Sequence, residues 1–205
     1  PENAAGKYFI PVDGSLGNDW HQPQFDDSSW QTGTAGFGWE TPGGILDSLI
    51  STDIRDEMRN LNASGFFRFE FNFDSTDREI QNLTLSTRID DGYVVYLNGT
   101  RAADYNAPAE ALWNSKSNRS GRSDSQIVAS ASEHDITGFA QLITDGLNVL
   151  AIHGLNSSPG GSDFMVKPEL IAAIQDRGTK LTGFFNTPTP GNPNSAGNGA
   201  GPIFV

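Results

Sequence analysis

The chain has 205 residues, room for one sizeable core plus appendages, and 25 acidic against 13 basic side chains give a formal net charge of −12. So acidic a balance excludes the basic footprint that nucleic acid requires, argues against strongly anionic polysaccharides, and is read as a solubility device. Zero cysteines remove disulfide frameworks and CxxC-type metal sites, and no apolar run approaches the length of a membrane span.

The predicted elements begin with a strand over residues 7–11, followed by turn residues and a segment holding Trp20 and Trp30. A glycine-rich stretch, 33–38, reads as strand or bulge. A long connection over 40–62 is partly helical around 53–61. Phe67, Phe69, Phe71 and Phe73 then alternate with Arg68, Glu70 and Asn72, the period-2 pattern of a strand with one buried face. Leu83, Leu85 and Thr87 repeat it. Asp90-Asp91-Gly92 breaks the chain, and Tyr93-Val94-Val95-Tyr96-Leu97 leads into Asn98-Gly99, a strong hairpin signal. Further strands are expected at 100–104, 126–133, 147–154 and 163–174. Residues 136–143 read as the one short helix, started by Asp135 and stopped near Gly146. With 23 Gly and 11 Pro between short strands, the class is all-β.

Several phrases fall in an order that resembles the galactose-binding-domain-like jelly-roll β-sandwich found beside the catalytic domains of many glycoside hydrolases. They are Trp20 with Phe25-Asp26-Asp27-Ser28-Ser29-Trp30, Asp-Asp-Gly before an apolar strand ending Leu-Asn-Gly, Gly146-Leu147-Asn148-Val149-Leu150-Ala151-Ile152-His153, and Ser162-Asp163-Phe164 through Pro168-Glu169-Leu170. The resemblance covers residues 7–175. It implies a jelly-roll domain over 1–178 and a non-catalytic module of a large secreted or cell-surface protein, while leaving function open because such folds host many activities. It also implies a structural Ca²⁺ held by carboxylates and carbonyls. The hard oxygen donors on hand are Asp26, Asp27, Asp53, Asp56 and Glu169, with no register to choose among them.

If consecutive strands run antiparallel, one end of the sandwich, here the lower, gathers the 40–62 connection, the Asp90-Asp91-Gly92 turn and the loops 105–125 and 155–162. Long polar loops on a rigid scaffold are where binding concentrates. Trp113 sits in the most polar of them. Either its indole stacks on the apolar face of a sugar ring, with Tyr105, Asn106, Arg119 and Arg122 pairing the hydroxyls, or it folds back to plug the sandwich end. Trp39 carries the same ambiguity, whereas Trp20 and Trp30 read as core. Adjacent carboxylates in a turn diverge, so Asp90 and Asp91 suit backbone capping rather than the ~5–9 Å pairing of a glycosidase. His21, His134 and His153 lack ligand partners at metal spacing, and no nucleophile or phosphate-loop signature occurs. The expectation is therefore an extracellular glycan-binding module, with a structural or assembly module as its rival. The tail, 179–205, has linker composition; Phe184-Phe185 and Ile203-Phe204-Val205 are read as anchors that dock on this domain or on a neighbouring copy, with a passive linker as the alternative.

Overall fold

A computed structural model of the chain describes residues 3–176. The expectations for the tail fall outside them. Eleven strands form two sheets: β1 (Ala5–Phe9), β2 (Gln31–Thr34), β3 (Phe37–Trp39), β4 (Thr52–Asp53), β5 (Ser64–Phe73), β6 (Arg78–Asp90), β7 (Gly92–Leu97), β8 (Thr100–Tyr105), β9 (Ser132–Asp135), β10 (Gly146–Leu155) and β11 (Phe164–Asp176). One sheet runs β2-β1-β5-β10-β7-β8 and the other β4-β3-β11-β6-β9. Every pairing is antiparallel except β3 with β4. The fold is an all-β sandwich, as expected.

The core between the sheets is built by alternation. Phe67 and Phe69 on β5, Leu83 and Leu85 on β6, Val95 and Leu97 on β7, Leu150 and Ile152 on β10, and Phe164 and Val166 on β11 point inward and are sealed. Phe71 and Phe73, which continue the β5 row, are only half-buried because the sheets part at that end. Trp20 and Trp30 are buried, but in a second layer outside the six-stranded sheet. The segment 12–30 lies across that face, and Trp20 stacks on Phe66 at 4.3 Å while Trp30 packs with Phe9 and Phe25.

This lid explains why Arg68, a polar-face residue by alternation, is buried. Its Nε donates to Asp27 at 2.6 Å and its Nη1 to the carbonyls of Trp20 and Gln22. Lys7, cross-strand from Arg68, also donates to Asp27. Burial alone would raise the Asp27 carboxyl; the two cationic donors outweigh it and hold it below its ordinary value.

Two expectations need correction. Residues 126–133 are not one strand: they divide between the helix α2 (Asp124–Ala129) and β9. The Ser123-Asp124-Ser125-Gln126 phrase is a capping box: the Ser123 amide donates to the Gln126 side-chain oxygen, and the Ser123 hydroxyl accepts from the Gln126 amide. Residues 136–143 form a 3₁₀ helix, Thr137–Leu142, rather than an α-helix. A single-turn helix, α1 (Arg55–Met58), lies inside the region read as partly helical.

Candidate functional site

Strand directions put the ends of β3, β6, β8 and β10 and the starts of β5, β7 and β11 at one pole, the lower end anticipated from chain order. Asp91 organises it. Its Oδ1 accepts the Gly121 amide and its Oδ2 the Ser157 amide, both at 2.7 Å, so one carboxylate ties the 106–121 and 156–163 loops together. Gly121 must be glycine, because a Cβ there would lie 2.5 Å from the Asp91 carbonyl oxygen. This is the backbone-capping role read from the paired aspartates. Asp90 differs: it is 4% exposed, and burial, with the charges of Asp91 and Asp163, pushes its carboxyl up to about 9.

Trp113 is half-buried. One side packs on the Trp20–Trp30 layer, and Gly14 lies so close that a Cβ would stand 3.0 Å from the indole Cδ1. Asn62 pins the surrounding chain, its Nδ2 donating to the Pro11 and Trp113 carbonyls at 2.7 and 3.1 Å. Ser64 adds a second pin, donating to the Ser115 carbonyl and meeting His153 Nε2 at 2.8 Å. Around this knot stand the three most exposed large hydrophobic side chains of the described residues: Val12 at 80%, Leu61 at 66% and Leu112 at 57%. Each neighbours in sequence a residue of the Asn62 contacts.

The other binding candidates divide. Trp39 is overturned: it is 1% exposed in β3 and stacked on Phe164 at 5.4 Å, so it presents no ring face to a ligand. Its position inside a strand, phased inward with Phe37, is the reason. Tyr105 ends β8 half-buried, its ring 6.0 Å from Tyr93. Asn106 spends its Nδ2 on the Asp91 and Arg119 carbonyls. Arg122 is committed to the end of α2, donating to the Gln126 and Ser130 carbonyls and the Ser132 hydroxyl. Arg119 is exposed in the same loop as Trp113. Of the set, Arg119 is exposed, Trp113 and Tyr105 are half-buried, and Asn106 and Arg122 are half-buried with their side-chain nitrogens committed to backbone carbonyls.

The acidic candidates do not converge. Asp26 accepts the Ser28 amide, Asp53 the Arg55 amide, and Asp27 serves Lys7 and Arg68. Asp56 is exposed in α1, and Glu169 lies on β11 opposite Ser86. Among the described residues the carboxylates that meet are Glu40, Asp124 and Asp163, whose nearest oxygens lie within 4.8 Å of one another. Glu40 is buried and oriented by the Thr41 amide and hydroxyl at 2.6 and 3.0 Å. Gly44 closes over it, since a Cβ there would stand 1.9 Å from Glu40 Cδ. Burial, opposed by the Ser162 hydroxyl and reinforced by Asp124, raises the Asp163 carboxyl. Three carboxylates at this spacing are the donor chemistry of a hard cation such as Ca²⁺, which takes 6–8 oxygens. No sequence spacing joins Glu40 to Asp124 and Asp163; the shared pole was the only signal.

No protein-family model matches the chain, and no curated protein matches it in sequence. Among solved structures, it is similar to part of β-glucuronidase 2 of Bacteroides uniformis, covalently bound there to cyclophellitol-6-carboxylate aziridine. The TM-score is 0.50 at 14% identity over 83% of this chain and 17% of that one. A β-glucuronidase of Ruminococcus gnavus aligns at TM-score 0.45 and 13% identity over 75% of this chain and 21% of that one. A β-glycosidase from Bacteroides vulgatus aligns at 0.43 and 12% over 83% and 19%. The chain therefore spans about a fifth of these enzymes, and at such identities the likeness concerns the fold.

Proposed function

We propose that this chain is a non-catalytic module of an extracellular protein that binds glycan at the lower pole, with Trp113 as the stacking platform and Arg119 as a hydroxyl partner. The carrying observation is Trp113 itself: half-buried, it packs against the buried Trp20–Trp30 layer, its carbonyl is pinned by Asn62, and it sits in a polar loop. The sandwich likeness to part of a β-glucuronidase is in keeping with this reading. One stacked ring and a few hydrogen bonds correspond to micromolar to millimolar dissociation constants, about −4 to −8 kcal/mol. The test is a glycan array on the protein as it stands, followed by affinity electrophoresis of Trp113→Phe and Arg119→Ala on the retained glycan. Trp113→Phe keeps most of the packing and narrows the platform; retention equal to the wild type would defeat the proposal.

Val12, Leu61 and Leu112 favour a second reading, an assembly module whose lower pole meets a neighbouring module. Aliphatic side chains recruit protein surface more than sugar. Val12→Ser with Leu112→Ser would then abolish association with the flanking modules and leave glycan retention intact.

We propose further that Glu40, Asp124 and Asp163 hold a calcium ion that stiffens this pole. Ca²⁺ at 100 times its dissociation constant would add about 2.7 kcal/mol of stability. EDTA is expected to lower Tm, Ca²⁺ to restore it, and Asp163→Asn to erase the difference. Identical melting curves with and without chelator would refute the site.

A further inference from the structure

Outside the six-stranded sheet, at the margin of the lid, lies a cavity of about 290 Å³. It is lined by Ala5 and Lys7 of β1, Thr32 of β2, Arg68 and Glu70 of β5, and Asp27 of the lid. It shares no residue with the Trp113 site or the acidic trio. Pairing sets Thr32, Lys7 and Arg68 in one row across three strands, and Ala5 and Glu70 stand two residues along on the same face. Two cations of that row, Lys7 and Arg68, share one carboxylate, Asp27, which leaves a positive charge unbalanced at the floor. Glu70, one row on, is exposed.

The guanidinium of Arg68 is incompletely paired. Its Nε and Nη2 form one edge of the fork, an edge that ordinarily gives a carboxylate two parallel hydrogen bonds. Asp27 closes half of it: Oδ2 accepts Nε at 2.6 Å, but Oδ1 is taken by Lys7 Nζ. Nη2 is left buried and without a partner, on a side chain that has no exposed surface. Sharing its edge with Nε, it stands beside the Asp27–Lys7 pair that lines the cavity. A buried donor in this position calls for an acceptor. Lys7 is the movable wall, since its side chain is 33% exposed on a flexible stem and can swing from Asp27 to admit an oxygen to Nη2. An oxyanion there would accept from Nη2 and from Lys7 Nζ. Glu70, about 7 Å further along β5, offers acceptors to the other end of the ligand, and the Thr32 hydroxyl adds a further partner. The volume lies at the lower bound of the ~300–1,000 Å³ of small-molecule sites, so the ligand is small.

We propose that this cavity binds a small hydroxy-carboxylate, with its carboxylate on Arg68 Nη2 and Lys7 and its hydroxyls on Glu70 and Thr32. The assignment is independent of the glycan reading and of the calcium site. The probe is gluconate, titrated into the full chain in metal-free buffer at constant ionic strength, with the NMR resonance of the Arg68 Nε–H as readout. Sorbitol serves as the uncharged counterpart and acetate as the bare carboxylate. Gluconate is expected to move the resonance saturably, acetate to bind more weakly, and sorbitol to leave it in place. Two variants locate the site. Ala5→Leu fills the cavity from an exposed position and keeps every charge. Lys7→Met removes one cation and frees Asp27 Oδ1 to close the Arg68 fork. Each is expected to weaken gluconate about tenfold, the scale of one charge-assisted hydrogen bond. No saturable shift, or a gluconate affinity that both variants leave unchanged, would overturn the proposal. Sorbitol or acetate binding as tightly as gluconate would overturn it equally, since the site would then read a polyol or a bare ion.

Discussion

Asp27 accepts hydrogen bonds from two cations while Arg68, its deeper partner, has no exposed side-chain surface. Removing the carboxylate strands a guanidinium whose Nη2 already lacks a partner. Asp27→Ala is therefore expected to cost about 3–5 kcal/mol in urea unfolding, and Asp27→Ala with Arg68→Met to recover most of it, because the penalty is the unpaired charge. His153 sets a second dependence. Burial depresses its imidazole from 6.5 to about 3, so it is neutral when folded and takes a proton on unfolding below pH 6.5. Its contribution to stability is intact above pH 6.5 and is lost as pH falls toward 3, by up to about 1.4 kcal/mol per pH unit. Urea midpoints measured from pH 7.5 to 5 should fall less steeply in His153→Gln than in the wild type. The hydrogen bond between Ser64 and His153 has nothing of a catalytic pair about it, since the Ser64 hydroxyl already donates to the Ser115 carbonyl and both residues are buried, His153 against Trp20 and Phe66.

At the scale of elements, α2 and the β10 entry depend on single polar side chains. Ser123→Ala removes half of the capping box and is expected to cost about 0.5–2 kcal/mol, read as a fall in Tm. Asn148, wholly buried, donates to the Thr144 and Gly146 carbonyls and accepts from Asn98 of the β7–β8 hairpin, so it joins two turns at once. Asn148→Ala leaves those groups unpaired and should cost about 1–3 kcal/mol for each that water does not reach. The strands were legible because alternation and Asn-Gly chemistry are local. The hairpin indeed places Asn98 and Gly99 at φ 47° and 85°. The burial of Arg68 was not legible, because the lid that covers it lies some 40 residues upstream of the strand it covers. The acidic trio was hidden for the same reason: Glu40, Asp124 and Asp163 come from three distant segments, and only strand direction brings them to one pole. Trp39 misled because an indole in a loop and an indole in a short strand read alike when the strand is three residues long.

Over the whole molecule, a net charge of −12 opposes compaction through self-repulsion. Raising NaCl from roughly 0.02 to 0.5 M, which shortens the screening length from about 20 Å to about 4 Å, should raise the urea midpoint. A midpoint that falls with salt would mean that the pairs of Asp27 with Lys7 and Arg68 outweigh the diffuse repulsion. The direction of the strands has another consequence. β1 starts and β11 ends at the pole where the sheets part, and Ala4 and Ala172 both line the opening there, while Trp113 and the acidic trio occupy the far pole. Residues 3 and 176 thus leave the described sandwich at one pole, and the 105–125 and 155–162 loops face away from it like the head of a lollipop from its stick. A bulky domain grafted directly onto residue 3 or residue 176 would therefore attach on the stick side and leave the head unshaded.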